Sequence, residues 1–156
     1  LAGIARGKGR GRAVSTPLGA RVYTDAKTRS YEARLSTAAA VAMKGRAPTT
    51  LPVRVTMSVF FAVPQSASKK KRGQMLAGVL WPTVKPDADN TLKLTDALNG
   101  IVWVDDKQVC IATVFKAYAE APGLLIEVAE IGTAKVAAPA KRPLVSATAQ
   151  GLALTS

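Results

Sequence analysis

Histidine is missing from all 156 residues, and that absence narrows the chemistry first. No Ser-His-Asp triad can be built, and no imidazole can act as general base or metal ligand. A single cysteine, Cys110, excludes an internal disulfide. It falls in an apolar, strand-like stretch and reads as a small buried hydrophobe rather than a reactive thiol. Aromatic residues make up only 5 % of the chain, so the core has to be aliphatic. No apolar run approaches the ~20 residues that cross a bilayer; the longest, 57–64, has the length of a strand. The basic N-terminal residues have no continuous apolar stretch behind them, so no secretory signal is expected and a cytoplasmic, nucleoid-associated protein is.

Acidic residues are the other scarce commodity. Twenty-two Lys and Arg stand against ten Asp and Glu, a net charge of +12. A chain this basic is expected to have a polyanionic partner, nucleic acid by default. The acids are also unevenly spread. None occurs between Glu32 and Asp87, a stretch that carries Arg34, Lys44, Arg46, Arg54, the run Lys69, Lys70, Lys71, Arg72, and Lys85; then five of the ten fall between Asp87 and Asp106. Carboxylates gathered on a DNA-binding surface repel phosphates unless a cation sits between them, which points to a metal site facing nucleic acid.

The 48 % apolar content suits one domain with a single core. Residues 1–24 are rich in Gly and Arg, with Lys8, Arg10, Arg12 and Arg21 as candidate DNA contacts and a short strand ending in Val22-Tyr23-Thr24. The sequence starts at Leu1 rather than Met, which leaves room for a first strand upstream of this numbering. Residues 28–44 carry Tyr31, Leu35, Ala38, Ala39 and Ala42 on one helical stripe, with Gly45 as the stop and Lys27, Arg29 and Arg34 on the solvated side. From 52 to 63 the residues alternate as a strand, with Phe60 and Ala62 suggesting burial on both sides at its end. A long loop over 65–85 holds a short helix at 70–77 capped by Ser68, and its Lys69–Arg72 run is read as a DNA contact. A helix is expected over 88–98 with Asp87 or Asp89 as its cap, then a stop at Asn99-Gly100, a short strand over 101–104, and strands over 109–119 and 124–131 joined as a hairpin at Pro122-Gly123. Residues 133–156 contain no acid and no clear period, and read as a flexible or extended tail behind a domain of 1–132.

The chemistry is concentrated in Lys85-Pro86-Asp87-Ala88-Asp89-Asn90, Lys93, and Asp105-Asp106. A helix followed by a reversal and a returning strand would bring Asp105 or Asp106 back beside Asp87 and Asp89. Lys93 follows Asp89 by four residues, one helical turn. Such a set of carboxylates needs a counter-charge, and oxygen-only ligands suit Mg²⁺, with Mn²⁺ as substitute. Each residue also has a plain structural reading: a helix cap at Asp87 or Asp89, an exposed Asp89–Lys93 pair, a turn at Asp105-Asp106, and an ion pair with Lys93 for Asp96. It is their joint placement on a very basic chain that favours catalysis. Other motifs fail. An EF-hand starting at Asp87 would have Leu92 where Gly is required, and a P-loop around Gly3 to Gly9 has Gly9 after Lys8 instead of Ser or Thr, so no nucleotide cofactor is expected.

Extended to Asp96-Ala97-Leu98-Asn99-Gly100 and Trp103-Val104-Asp105-Asp106-Lys107-Gln108-Val109, the same segment resembles the signature of the RusA-type Holliday-junction resolvases, a family common in phages and prophages. Weaker similarity covers Lys8-Gly9-Arg10-Gly11-Arg12 with Arg21-Val22-Tyr23-Thr24, and Tyr118-Ala119-Glu120 with Pro122-Gly123, which resembles the family's C-terminal hairpin. The resemblance implies an α+β fold, a mixed β-sheet with helices packed against it, and a homodimer that nicks opposite strands of a four-way junction in recombination and repair. It places the metal-binding aspartates at Asp87, Asp89 and Asp106, with Asp105 adjacent as a further candidate, and the essential lysine at Lys93. Two other readings stay open: an endonuclease for flaps or forks, and a DNA-binding protein without activity.

Overall fold

The alternation that follows Pro52 organises the molecule. In the computed structural model, which describes residues 1–8, 12–16, 19–23 and 25–132, this stretch is β3, Val53–Ala62. Val53, Val55, Met57 and Val59 are fully buried along one face. Burying an aliphatic side chain of this size contributes about 1.5–3 kcal/mol, so this stripe is the main anchor of the core. Packed against it are Tyr31 and Leu35 of α1 (Ala26–Met43), Leu94 and Leu98 of a 3-10 helix (Lys93–Leu98), Trp103, and Leu124 of β5 (Gly123–Glu130).

β3 is the middle strand of three, in the order β4-β3-β5. β4 (Val109–Ala119) runs parallel to it, from Val53↔Val109 to Ala62↔Ala119. β5 runs antiparallel, from Val53↔Glu130 to Phe60↔Gly123. The expected mixed sheet with helices against it is therefore present. The hairpin expected at Pro122-Gly123 is not: β4 and β5 never pair, and the link between them steps across the end of β3. The reason is burial. β3 has the most apolar face and takes the centre, while β4 and β5 become flanking strands with exposed residues such as Ile111, Phe115 and Leu125. A separate two-stranded ribbon, β1 (Arg12–Thr16) with β2 (Gly19–Tyr23), accounts for the early strand, which ends at Tyr23.

Two further expectations change at the sheet. Cys110 is exposed, not buried. The ladder slips between Val53 and Arg54, which pair with Val109 and Ile111, so Cys110 is the extra residue of a bulge at the start of β4. At the end of β3, Phe60 and Phe61, on opposite faces, are both half-buried, while Ala62 is exposed.

The helices follow local rules closely. α1 runs two residues further towards the N-terminus than the apolar stripe suggested, because Asp25 caps it. Asp25 Oδ1 accepts from the backbone N–H of Thr28 at 3.0 Å and its other oxygen from the Thr28 hydroxyl. The helix ends at Lys44 in a left-handed conformation (φ 50°), followed by Gly45 at φ 76°. Of the expected stripe, Tyr31 and Leu35 are buried and Ala42 is exposed. α2 (Lys69–Leu76) is capped by Ser68 through the N–H of Lys71. The expected helix over 88–98 divides into α3 (Ala88–Leu92) and the 3-10 helix that continues it. The tail over 133–156 and Arg10 lie outside the described residues.

The hydrogen bonds from Thr28, and secondarily Arg6, hold the Asp25 carboxyl below the usual carboxylate range. A depressed folded-state pKa stabilises the fold above the unfolded value, about 3.9, and that contribution is lost as pH falls through the folded value. Asp25→Ala should therefore lower Tm at neutral pH, and its gap to the wild type should narrow in melts taken below about pH 4. A gap of constant size across that range would contradict the assignment.

Candidate functional site

The candidate residues lie on the crossover that joins β3 to its parallel neighbour β4. Asp87 occupies the cap position of α3 in extended conformation (φ −71°, ψ 153°), yet its carboxylate does not cap the helix. Its backbone carbonyl accepts the first bond of the helix, from the N–H of Thr91, and also the Thr91 hydroxyl, both at 3.0 Å. The carboxylate is exposed, with no hydrogen bond or ion pair among the described residues.

Asp89, two residues on, is also exposed. Lys93 Nζ reaches its Oδ2 at 3.2 Å and Asn90 Oδ1 at 3.1 Å. This lysine lowers the Asp89 pKa, so the carboxylate is charged at neutral pH. Both partners are solvent-exposed, and such an i,i+4 pair adds little to stability. The pairing expected between Lys93 and Asp96 is not made: Asp96 instead bonds Lys8 at 2.9 Å.

The segment after the 3-10 helix departs most from expectation. Residues 101–104 are a tight turn, not a strand. Gly100, at φ 71°, donates its N–H to the Trp103 carbonyl at 2.7 Å, while Ile101 and Val102 both bond back to Leu98. Trp103 is fully buried, and its indole N–H donates to Asn99 Oδ1 at 2.7 Å. At this turn Trp103 also bridges Thr49 and Asn99 through its backbone.

Asp105 and Asp106 then part ways. Asp105 caps the 3-10 turn Asp106–Gln108, accepting from the Lys107 N–H at 3.0 Å, and that bond lowers its pKa. Gln108 closes the capping box and does more. Its Oε1 accepts from the N–H groups of Val104 and Asp105, and its Nε2 donates to the carbonyls of Thr49 and Leu51. One side chain thus ties this turn to the connection before β3. The Asp-x-x-Gln spacing is a capping-box signal that could have revealed it. Asp106, the next residue, is exposed and has no basic partner among the described residues.

Residues 101–104 thus coil where a strand was expected, although the chain does come back to α3, which packs against β4, the strand that Asp106 leads into. Among the described residues no three Asp, Glu, His or Cys side chains stand together as a ready metal-binding group. The structure places Asp87 at the N-cap of α3, Asp89 in its first turn and Lys93 at its C-cap, and Asp106 on the turn before β4. In kind, however, the donors suit a hard divalent ion: exposed carboxylates, one of them uncommitted, and no nitrogen or sulfur donor set to compete.

Of the basic candidates, Lys69, Lys70 and Lys71 are exposed on α2 with no acidic partner among the described residues, whereas Arg72 pairs with Glu120. Lys85 is exposed beside Pro86. Arg12 and Arg21 sit in β1 and β2, and their side chains lie outside what is described, as does Arg10. The ammonium of Lys8, also expected as a DNA contact, is engaged by Glu32 and Asp96. The loop leading to the site is tied to β4 by Lys116, which donates to the Val84 carbonyl at 2.6 Å, and by Trp81 packed edge-on against Phe115. Sequence reasoning assigned neither residue a role.

The site is thus a short helix bearing exposed aspartates on a strongly basic α+β chain. The chain matches the family described as Endodeoxyribonuclease RusA over residues 3–129 and belongs to that family. It is also 40 % identical over 83 residues to a Bacillus subtilis (strain 168) protein described as "Uncharacterized protein YqaN", an overlap of 51 % of this chain and 58 % of that one. No described helix is long and apolar enough to cross a membrane.

Proposed function

We propose that this chain is a divalent-metal-dependent endonuclease of branched DNA that resolves four-way junctions, as a homodimer, by paired nicks in opposite strands. The observation that carries the reading is the single turn of α3. There an uncommitted carboxylate, Asp87, stands two residues from Asp89 and its lysine partner Lys93, on a chain of the RusA family. Asp87 and Asp89 would hold the ion, Mg²⁺ or Mn²⁺, with Asp106 as third ligand; the inclusion of Asp106 rests on the family resemblance. Asp105 drops to a supporting role because its carboxylate is spent on capping. When bound, the ion supplies a counter-charge for the phosphate and a more acidic water.

The protein's own groups do the rest. Lys93 is long, exposed and bonded only to exposed acceptors, so it can turn to a phosphate oxygen without unfolding anything. Lys69, Lys70, Lys71 and Lys85 bring positive charge on the same crossover and hold the duplex arms by their phosphates.

Asp87→Asn and Asp106→Asn should each reduce cleavage of a synthetic four-way junction on the order of 100-fold or more while junction binding persists. Asp105→Asn, which can still cap, should stay within about threefold of wild type. Cleavage by Asp106→Asn at the wild-type rate removes that residue from the site. Loss of nicking on junction, fork and flap alike, with either ion, would leave a DNA-binding protein without activity. In a titration from about 50 to 200 mM salt, junction affinity should fall by orders of magnitude, since each phosphate contact contributes a slope of about −0.9. A flat response would refute binding through these lysines.

A further inference from the structure

Residues 5–8 pass between α1 and the acid-bearing turn, and three features lock them there. The Lys8 ammonium lies 3.1 Å from Glu32 Oε1 on α1 and 2.9 Å from Asp96 Oδ2 on the 3-10 helix. The Lys8 backbone N–H donates to the Asn90 carbonyl at 2.8 Å. At Gly7 the chains approach so closely that a Cβ would come within 2.8 Å of Pro86 Cβ and 3.0 Å of Asn90 Cβ. Asn90 in turn receives Lys93 on its side chain, so a short chain of contacts leads from Lys8 to the proposed reacting groups.

We propose that Lys8 is a positioning residue that holds residues 86–90, and with them Asp87 and Asp89, against α1, and that it is not a phosphate ligand. The electrostatics support this. One lysine between two carboxylates leaves the trio with a net negative charge, which repels phosphate. Glu32 Oε1 is shut off from solvent and meets no hydrogen-bond donor of good geometry, so the Lys8 ammonium is its counter-charge. Removing that cation would leave two like charges facing each other across the joint between α1 and the 3-10 helix. The hydrogen bond that Lys8 donates to Asp96, ahead of its pairing with Glu32, raises the Lys8 pKa and keeps it charged. The consequence for cleavage rests on the nuclease reading above; the packing does not.

The test compares Lys8→Gln, Lys8→Arg, Asp96→Asn and the Lys8→Gln/Asp96→Asn double variant in the full chain. Three quantities are measured: single-turnover junction cleavage in saturating Mg²⁺, junction affinity across a salt series, and amide hydrogen exchange over residues 84–93. Lys8→Gln should slow cleavage on the order of 10–100-fold by misplacing the acidic turn, and should speed exchange in that segment. Junction affinity and its salt slope should hold. Lys8→Arg should recover most of the rate, and the double variant should be no worse than Lys8→Gln alone, because the two residues act as one unit. A salt slope reduced by about 0.9 with unchanged exchange would make Lys8 a phosphate ligand and overturn the proposal. So would an unchanged rate and exchange in an active protein. Should Lys8→Gln fail to fold, Lys8→Arg and Asp96→Asn carry the same exchange comparison: faster exchange in Asp96→Asn supports the clamp, and no change in it refutes the clamp. A wild-type chain that cuts no branched DNA refutes the nuclease reading, while the exchange data still judge the clamp.

Discussion

Parallel pairing between β3 and β4 is the constraint from which the rest of the molecule follows. Antiparallel neighbours can be closed by a two-residue turn, but parallel neighbours need a connection that travels back along the whole sheet. β3 ends at Ala62 and β4 starts at Val109, so residues 63–108 have to make that journey. Everything chemically distinctive lies on it: the lysine run of α2, the short α3 with Asp87 and Asp89, the 3-10 helix, and the turn that carries Asp106. The crossover is held to the sheet by Leu94, Leu98 and Trp103, which are buried in the same core as the β3 stripe. Exposed acids on one side of the crossover and buried apolar groups on the other are two faces of one short segment.

The acids of this segment have divided their labour. Asp96 shares the Lys8 ammonium with Glu32 from α1, and the three join two helices. Asp105 is consumed as a cap. Asp89 shares an exposed lysine, and Asp87 and Asp106 have no cation of their own among the described residues. On a chain of net charge +12, leaving carboxylates without a partner costs binding to a polyanion, unless an exogenous cation takes the place. That sorting separates structural from available carboxylates, and it is finer than the clustering visible in the sequence.

Much of the fold was legible because it is set by neighbours in the chain. The alternation of β3, the stripe of α1 and the Ser68 cap of α2 all rest on contacts within a few residues, and each element was placed to within a residue or two. Elements whose form depends on a distant partner were misread. Residues 101–104 are apolar enough for a strand, but they coil, with Trp103 buried in the core and bonded to Asn99. β4 and β5 look like a hairpin from their turn residues, and they are separated by β3 because that strand has the stronger claim to the centre. Cys110 looks buried by pattern and is turned out by a one-residue slip against β3.

By itself, then, the sequence determined the class of fold, the family, and the short list of carboxylates and lysines that any chemistry must use, since periodicity, caps and motif spacing are properties of the chain. Which of those residues are free was decided only by tertiary structure. Lys8, far from Asp96 in the chain, meets it in space and ceases to be a free charge, while the Asp87 carboxylate, though at a cap position, makes no cap bond and stays uncommitted. Charge compensation acts through distance in three dimensions, and no count of residues along a chain measures that distance.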